Sequence, residues 1–519
     1  MNILFAFADD WGRYANAYAK YESEKSINHL IQTPNFDRVA REGVLFRNAF
    51  VPAPTCTPCR SSILSGQYFW QTGLGAILAG AVWDNNIPTY PLELEKQGYF
   101  IGQSLKVWAP GMSLNAPYGG ERTSYTKAGK KFCQFSHYVT KRGNEIGIEA
   151  AKEELYDEVR INFNSFLDAW PKDKPFCYWW GPTNTHRTWE QGSGKALWGI
   201  EPDDLKNRMP KFMPDVHEVR EDFADYLGEC LAYDAGLGVL LDILEEKGEL
   251  DNTFVIVSGD HGIPGMPRAK CNLYDIGCEV ALAMRLPGVI KAGRVIDDMV
   301  NLMDLAPTFM EMAGKKIPET MTAKSIMPLL VSNENGQIDP SRDFVVVGRE
   351  RHVAQARDGM LPYPQRAIRT KDFLYIINFE PDRWPMGDPK GMDNPDAVPY
   401  SYHDLQWNTV TAYPDLDASP TKAWMIHHRN EAEVKPLYWL AFDKRPYEEL
   451  YDLKKDPDYM NNVADKEEYS QIKKELNAKL MKILVEQNDP RIVETPCRFE
   501  NQPYAGPLQP FQIQNYALF

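Results

Sequence analysis

The sequence lacks any long hydrophobic run. No stretch of its 519 residues approaches the ~20 uninterrupted apolar residues that a membrane helix needs. The apolar run at residues 2–7 is ended by Asp9 and Asp10. It is too short for the hydrophobic region of a signal peptide, and no basic segment precedes it. We therefore expect no membrane partner and a chain that begins almost directly in a strand.

Cysteine and positive charge are also scarce. Eight cysteines in 519 residues do not make a disulfide framework, so the sequence leaves the redox compartment open. The chain carries 72 Asp and Glu against 57 Lys and Arg, a formal charge of −15. This balance argues against a protein that coats nucleic acid. It does not exclude a small anionic substrate, because a few basic side chains set the field inside one pocket.

Short apolar runs alternate with helical patterns through the first two-thirds of the chain. Buried strands are predicted at residues 2–7, 98–105, 176–180 and 253–258, and helices at 35–42 and 220–247. This alternation predicts an α/β fold with a mainly parallel sheet covered by helices on both faces. The four strands lead into charged or imidazole side chains, namely Asp9, Asp10, Lys106, His186, Arg187, Asp260 and His261. In such sheets the chemistry gathers at the carboxyl ends of the strands.

The residue composition and the pattern of predicted elements change after about residue 335. Residues 333–340 are polar and rich in turn formers, which is typical of a linker. The remainder predicts a smaller α+β domain, with its features at 344–347 and 373–377 (strands), 381–420 (a Pro- and Trp-rich loop) and 467–486 (a charged helix). We therefore predict two domains, at residues 1–335 and 341–519.

The most informative segment is Cys56-Thr57-Pro58-Cys59-Arg60, followed by Leu64-Ser65-Gly66. A zinc site would need further ligands, and no second Cys-x-x-Cys exists in the chain. A redox pair would directly follow a strand, whereas a Pro-rich loop precedes this one. Pro58 suggests a helix that opens just after Cys56, with the Cys56 side chain at the positive helix end.

This segment resembles the signature of the type I sulfatases, whose cysteine is oxidised after translation to formylglycine. Asp9-Asp10, Lys106, His186, Asp260-His261 and Lys270 fall where these enzymes keep metal and sulfate ligands. Segments 7–12, 262–264, 272–274, 349–352 and 366–369 look most like the N-sulfoglucosamine sulfohydrolase branch and its bacterial relatives. Two residues depart from the pattern. Cys59 stands where Ser or Ala is usual, and Trp108 stands where many members have the His of a Lys-x-His pair.

The resemblance implies an alkaline-phosphatase-like α/β fold whose mainly parallel sheet is sandwiched by helices, with a smaller C-terminal α+β domain that completes the substrate pocket. It also implies a formylglycine hydrate at position 56. One hydroxyl attacks sulfur and displaces the substrate oxygen or nitrogen. The other then loses its proton, expels sulfate and restores the aldehyde. A thiol cannot perform the second step, so the unmodified protein should be nearly inactive.

The same resemblance assigns roles to residues. The expected catalytic residues are Cys56, Arg60, Lys106, His186 and Lys270. The expected metal ligands are Asp9, Asp10, Cys56, Asp260 and His261, whose mainly hard oxygen donors suit Ca²⁺, with Mg²⁺ as the second choice. The expected substrate-binding residues are Arg187, Arg349, Glu350, His352 and Arg366.

The expected substrate is a sulfated sugar or oligosaccharide, cleaved exolytically as a sulfate ester or sulfamate. Two alternatives stay open: a phosphonate or phosphate ester hydrolase of the same superfamily, and a catalytically inactive glycan-binding protein. The expected protein partner is a formylglycine-generating or anaerobic sulfatase-maturating enzyme, and no nucleic acid is expected. We expect a periplasmic or secreted protein whose leader has been removed.

Overall fold

The structure is a computed structural model that describes residues 1–78, 80–111 and 116–500. The strands in these residues are β1 (Asn2–Ala8), β2 (Val44–Phe46), β3 (Ala49–Phe50), β4 (Phe100–Leu105), β5 (Phe176–Gly181), β6 (Thr253–Gly259), β7 (Leu282–Arg285), β8 (Arg294–Ile296), β9 (Val300–Asn301), β10 (Phe344–Arg349), β11 (Gln365–Thr370), β12 (Phe373–Asn378) and β13 (Glu448–Asp452). The predicted second domain ends in residues 501–519, which lie outside the described residues.

The helices connect and cover these strands. They are α1 (Pro34–Glu42), α2 (Cys56–Ser65), α3 (Tyr90–Lys96), α4 (Phe135–Ile146), α5 (Ile148–Ala169), α6 (Ser193–Trp198), α7 (His217–Glu246), α8 (Asp275–Cys278), α9 (Leu305–Met312), α10 (Met327–Val331), α11 (Tyr402–Trp407), α12 (Pro420–His427), α13 (Lys435–Phe442), α14 (Ser470–Glu486) and α15 (Pro490–Val493). Both predicted helices of the first two-thirds are confirmed, as α1 and α7.

Seven strands form the main sheet in the order β4-β5-β1-β6-β7-β2-β8. Strands β4, β5, β1 and β6 pair in parallel, whereas β7 runs antiparallel to both β6 and β2. The four strands predicted from apolar runs are those of the parallel part. The prediction of a mainly parallel sheet is therefore confirmed.

Strand β1 shows why short apolar runs predicted this sheet. All seven of its residues are buried. Ile3 and Phe5 pack into the hydrophobic cluster on one face of the sheet, and Leu4 and Ala6 pack into the cluster on the other. A strand covered on both faces has no solvent side, so its sequence shows no alternation of polar and apolar residues. The helix α7, 30 residues long, supplies much of the cover on the second face.

The four strands β10 to β13 form a separate antiparallel sheet in chain order. Val345 and Val347 of β10 pack into the same cluster as Phe5 of β1. On the opposite face, Val346 packs with Leu480 of α14. The two sheets therefore share one hydrophobic core, which fixes the C-terminal part against the main sheet.

The predicted strands and the charged helix of the C-terminal part are confirmed, the helix as α14, which follows a 3₁₀ turn at Glu467–Tyr469. The polar segment 333–340 is bound along β8, since the backbone N–H of Gly336 donates to the carbonyl oxygen of Val295 at 2.9 Å. The division into domains 1–335 and 341–519 stays a prediction.

Two further observations concern the described residues as a whole. None of its helices combines the length and the apolar character needed to cross a bilayer. The eight cysteines all lie in the described residues, and each is a free thiol.

Candidate active site

Cys56 is the first residue of α2 and lies against the ends of β1 and β6. Thr55 before it is extended, with φ −156° and ψ 134°. The first helical hydrogen bond runs from the N–H of Cys59 to the carbonyl of Thr55, at 3.0 Å. Pro58 falls in the first turn, where backbone N–H groups have no partner within the helix, so the missing donor costs nothing. The sequence thus starts the helix at the predicted residue.

The Cys56 thiol is buried beside imidazole and carboxylate groups. Its Sγ lies 3.4 Å from His261 Nε2 and 4.0 Å from Asp10 Oδ1. Burial, reinforced by Asp9, raises the pKa of this thiol well above its ordinary value. The thiolate is the nucleophilic form of cysteine, so this environment does not activate Cys56 as a thiol.

Three carboxylates meet at the ends of two neighbouring strands. Asp9 and Asp10 follow β1 and Asp260 follows β6, and these strands pair in register up to Ala8 and Gly259. The backbone N–H of Asp10 donates to Asp260 Oδ1 at 2.8 Å. Asp10 itself has a φ of 54°, in the left-handed region. The parallel register therefore brings these carboxylates together across 250 residues of sequence.

Three cations hold the carboxylates in place. Arg60 Nε donates to Asp260 Oδ2 at 2.9 Å, and Arg60 Nη2 donates to Asp9 Oδ1 at 3.0 Å. Lys106 Nζ donates to both oxygens of Asp9 at 2.7 Å. Lys270 Nζ donates to Asp10 Oδ2 at 2.9 Å. One face of α2 and two loops thus converge on the carboxyl edge of the sheet.

Burial and these cations shift the pKa values of the three carboxyl groups in different directions. Burial, only partly offset by Arg60, raises the pKa of Asp260 to about 6. Burial also raises the pKa of Asp10, despite Lys270. Although burial opposes it, the pair Lys106 and Arg60 holds the pKa of Asp9 well below its ordinary range. A nearby cation would favour the ionised forms of Asp10 and Asp260.

Two histidines border this cluster. His261 Nε2 lies 3.2 Å from Asp10 Oδ1, and burial lowers the pKa of His261 to about 4, so its ring is neutral at pH 7 and can offer a lone pair. His186 Nδ1 lies 2.6 Å from the carbonyl oxygen of Arg187, and its Nε2 lies 3.9 Å from Asp10 Oδ2. A carbonyl only accepts, so Nδ1 carries a proton and Nε2 faces the cluster.

The donor set fits a divalent cation. Three overlapping groups have ligand atoms within 4.8 Å of one another: Asp10, Cys56 and His261; Asp9, Asp10 and His186; Asp9, Cys56 and Asp260. All five residues predicted as metal ligands occur in these groups. Carboxylate oxygens are the ligands that hard cations such as Ca²⁺ and Mg²⁺ prefer. The structure thus assembles the predicted set, while the role of each residue stays a prediction.

Two of the predicted substrate-binding residues adjoin the cluster. His352 Nδ1 lies 2.6 Å from the hydroxyl of Thr55, the residue before Cys56. Arg187 Nη1 donates to Asp222 at 2.7 Å, whereas its buried Nη2 has no hydrogen-bond acceptor among the described residues. His352 therefore contacts the residue before Cys56, and Arg187 directly follows His186 in the chain.

Arg349, Glu350 and Arg366 are instead turned into the protein interior. Arg349 pairs with Asp415. Arg366 Nη2 donates to Glu350 Oε1 at 2.8 Å, and Arg491 donates to the other Glu350 oxygen at 2.6 Å. These three side chains are at most 1% exposed, and their ion pairs lie within the C-terminal part. These contacts give them a structural role, and their part in substrate binding stays a prediction.

The two departures from the sulfatase signature are packing residues. The Trp108 indole N–H donates to Ser61 on α2 at 2.8 Å, and its ring packs edge-on against Trp83 at 5.6 Å. Cys59 is fully buried in the hydrophobic cluster below α2. Neither residue presents a group to the carboxylate cluster through these contacts. Trp108 therefore stabilises α2 through these contacts rather than supplying a donor in place of the histidine.

Sequence reasoning missed two residues that contact the site. Tyr226 donates to the carbonyl of Asp10 at 3.0 Å and accepts from the N–H of Gly12 at 3.0 Å. The helix pattern places Tyr226 on the buried side of α7. A hydroxyl on that side was the signal by which it could have been found. Asp417 Oδ2 lies 3.4 Å from Lys270 Nζ. It lies within the segment 381–420 that was predicted as loop, where no pattern relates its position to Lys270.

Comparisons with known proteins agree with this geometry. The family model for sulfatases matches residues 1–315, and the model described as N-sulphoglucosamine sulphohydrolase, C-terminal, matches residues 268–413. An ulvan-active sulfatase from Formosa agariphila is 27% identical over 493 residues, which cover 92% of this chain and 78% of the relative. Human N-sulphoglucosamine sulphohydrolase is 25% identical over 522 residues, with 94% and 91% covered.

A similar fold is seen in a structure solved in complex with its substrate D-glucosamine-2-N,6-O-disulfate. Its TM-score is 0.60 at 20% identity, and the match covers 95% of this chain and 99% of the other. The alkaline-phosphatase-like α/β fold is therefore confirmed. The matches support the sulfatase interpretation over the phosphonate or phosphate hydrolase and over the inactive glycan-binding protein. Members of this family generally use a metal ion and a formylglycine. The chain belongs to the sulfatase family and is a hydrolase of sulfate esters or sulfamates.

Proposed function

We propose that this protein is a carbohydrate sulfatase, which hydrolyses the sulfate ester or sulfamate of a sulfated sugar through a formylglycine formed from Cys56. The observation that carries the proposal is the position of residue 56. It starts α2 within 3.4 Å of His261 and 4.0 Å of Asp10, inside a cluster that also holds two lysines. The names of the relatives, which act on ulvan or N-sulphoglucosamine, support a sugar substrate.

The proposed cation is Ca²⁺, with Mg²⁺ as the second choice. Asp9, Asp10, Asp260 and the residue-56 oxygen would hold it, with His261 beside them. When bound, such an ion lowers the pKa of a nearby hydroxyl and neutralises part of the sulfate charge. The raised pKa values of Asp10 and Asp260 are consistent with a bound cation of either kind, since a cation stabilises both carboxylates in their ionised form.

The chain's own side chains divide the remaining work. Lys106 and Lys270 lie beside Asp9 and Asp10 and can donate charge-assisted hydrogen bonds to sulfate oxygens. His186 is the proposed acid. Because Nδ1 donates to a backbone carbonyl, the additional proton of the charged ring sits on Nε2, which faces the cluster. From there it is transferred to the departing oxygen or nitrogen of the sugar.

The shape of the site supports removal of sulfate from chain ends. Cys56 itself is only 2% exposed. Among the described residues, side chains around it that are partly accessible include Lys106, His186 and Asp417, which are 12%, 14% and 16% exposed. A nucleophile position that is almost fully buried is reached more readily by a terminal sugar than by the middle of a long chain. We therefore propose exolytic action.

Two measurements on one preparation test the proposal. The mass of the peptide containing residue 56 is expected to be about 18 Da below that of the cysteine form, because formylglycine replaces the thiol by a carbonyl oxygen. The same protein is then tested for sulfate release from N-sulfated glucosamine and from several O-sulfated sugars, with and without Ca²⁺. We expect release from at least one sugar and a loss of release in chelator. Silence across the panel, with formylglycine confirmed, would refute the proposal.

A matched pair of variants isolates the role of residue 56. Cys56→Ala is expected to abolish sulfate release. Cys59→Ser removes a buried thiol one helical turn away and is expected to retain sulfate release, because Cys59 packs in the hydrophobic core. Equal loss in both variants would show that the effect is one of helix packing.

Maturation and location complete the proposal. A formylglycine-generating or anaerobic sulfatase-maturating enzyme is the proposed partner, and co-expression with either enzyme should raise the modified fraction of residue 56.

We also propose a periplasmic or secreted location, because sulfated polysaccharides are extracellular polymers. Cell fractionation tests this, and a cytosolic protein would contradict it.

A further inference from the structure

The carboxylate of Asp417 lies beside Lys270, at the edge of the carboxylate cluster. Its Oδ2 lies 3.4 Å from Lys270 Nζ and accepts no hydrogen bond from the described residues, although this oxygen is buried. The side chain as a whole is 16% exposed. A buried carboxylate oxygen without a donor is costly, so a group that supplies one would bind favourably.

The segment around Asp417 is held rigidly by other residues. Asp415 accepts hydrogen bonds from the N–H of Val353 at 3.0 Å and from Arg357 at 2.8 Å. Lys422 is buried, and its Nζ donates to the carbonyl of Leu416 at 2.8 Å. The backbone therefore does not need the Asp417 carboxylate to keep its position. Asp415 is a structural carboxylate, and Asp417 is not.

The groups around Asp417 explain why it stays charged. Although burial opposes it, Lys270, His186 and His352 hold the pKa of Asp417 below its ordinary range. A fixed negative charge beside a sulfate-binding lysine repels anions and attracts hydrogen-bond donors. The negative charge of Asp417 therefore does not help to bind the sulfate. Its role must concern the uncharged part of the substrate.

We infer, on the basis of the proposed function, that Asp417 contacts the sugar directly and accepts a hydrogen bond from a hydroxyl next to the sulfated position. The preferred substrate is then a sugar with a free hydroxyl at that neighbouring position. A second sulfate there would face the Asp417 carboxylate as a like charge and would be rejected. Asp417 thus sets specificity, whereas Lys270 binds the sulfate and His186 protonates the leaving group.

A different role would be to orient Lys270 alone. That role predicts the same loss on every substrate, because every substrate carries the sulfate that Lys270 binds. Contact with the sugar predicts a loss that depends on the neighbouring group. Substrates with and without a neighbouring hydroxyl therefore separate the two roles.

The experiment compares Asp417→Asn with Asp396→Asn, which removes an exposed carboxylate from the same part of the chain. The substrates are N-sulfoglucosamine, the same sugar with a second sulfate at O3, and 4-nitrophenyl sulfate, which has no hydroxyl. If the wild-type protein cleaves only O-sulfated sugars, its fastest one and the matching vicinal disulfate replace the first two. Position 56 is first confirmed as formylglycine in each protein.

We expect Asp417→Asn to lower kcat/KM on the monosulfated sugar by about 10- to 100-fold, the loss typical of a hydrogen bond to a charged group. Activity on 4-nitrophenyl sulfate should stay within about threefold of wild type, which also shows that the variant is folded. The ratio of disulfated to monosulfated activity should rise, and Asp396→Asn should resemble wild type on all three.

Three results would overturn the inference. Equal losses on the sugar and on 4-nitrophenyl sulfate would show that Asp417 only orients Lys270. An unchanged ratio between mono- and disulfated sugars would show that Asp417 does not meet the neighbouring position. Wild-type protein that carries formylglycine but releases no sulfate from any substrate would refute the proposed function, and the inference with it.

Discussion

Replacing Arg60 with methionine tests whether one buried guanidinium organises the carboxylate cluster. Arg60 is fully buried and donates to Asp260 at 2.9 Å and to Asp9 at 3.0 Å. Methionine has a similar length, so it fills the space but leaves both carboxylates without this partner. Removing one partner of a buried ion pair costs about 3–5 kcal/mol. Because Lys106 still pairs with Asp9, we expect a loss near the lower end, about 3 kcal/mol, in metal-free protein at pH 7.

The loss should grow as pH rises. Asp9 has a lowered pKa, so its ionisation adds stability above the unfolded value of 3.8, and this is lost as pH falls through the folded value. Asp260 has a pKa raised to about 6, so its contribution is present below 3.8 and is lost as pH rises through about 6. Arg60→Met raises both folded pKa values. The variant therefore loses stability faster than wild type between pH 5 and pH 8.

Urea unfolding in EDTA at pH 5 and pH 8, followed by tryptophan fluorescence, measures both effects. The matched control is Arg160→Met on α5, where the exposed arginine pairs with Glu153 at 3.1 Å and with Asp157. Exposed pairs contribute about 0–1 kcal/mol, so the control should stay within that range and show no trend with pH. A change below 1 kcal/mol for Arg60→Met, or a larger loss at pH 5 than at pH 8, would refute the reasoning.

Four further predictions concern stability, metal and catalysis. Burial raises the pKa of Glu229 to about 7, so wild-type stability should fall as pH rises from the unfolded value of 4.5 through 7. Glu229→Gln should remove this fall of roughly 3 kcal/mol in urea titrations. Trp108→His should cost about 3 kcal/mol in the same assay, because it empties part of the core, and should not increase sulfate release. Ca²⁺ at 100 times its Kd should stabilise the protein by about 2.7 kcal/mol, and Asp10→Asn should abolish this shift in thermal unfolding. His186→Ala should lower turnover of sugar sulfates by about 10²- to 10⁴-fold and affect 4-nitrophenyl sulfate much less, because nitrophenolate leaves without a proton.

The main sheet and the centre of the site were predictable for the same physical reason. Parallel strands buried on both faces appear as short uninterrupted apolar runs, as in β1. Neighbouring parallel strands also end at one edge, so whatever follows them is brought together. Asp9, Asp10 and Asp260 could therefore be placed side by side from the sequence, and the structure joins them by a hydrogen bond of 2.8 Å.

The residues that the C-terminal part contributes to the site could not be predicted in the same way. A charged residue in a loop has no periodicity that relates it to a distant strand end, so neither Asp417 nor its distance from Lys270 was recognisable. Arg366 and Glu350 illustrate the opposite difficulty. Both have the chemistry of a sugar-binding pair, but in the structure they neutralise each other in the interior. Residue type alone does not distinguish an open pocket from a satisfied ion network.

The number of free donors separates the cations of the site by role. A guanidinium has five N–H groups, and Arg60 spends four of them, on Asp9, on Asp260 and on the carbonyls of residues 106 and 107. It is fully buried, so it has no means to reach a substrate. An ammonium has three donors, and Lys106 directs hydrogen bonds only to Asp9 among the described residues while remaining 12% exposed. Lys270 likewise donates only to Asp10 within the same residues. Arg60 therefore positions the carboxylates, whereas the two lysines keep donors available for the sulfate recognition that we propose for them.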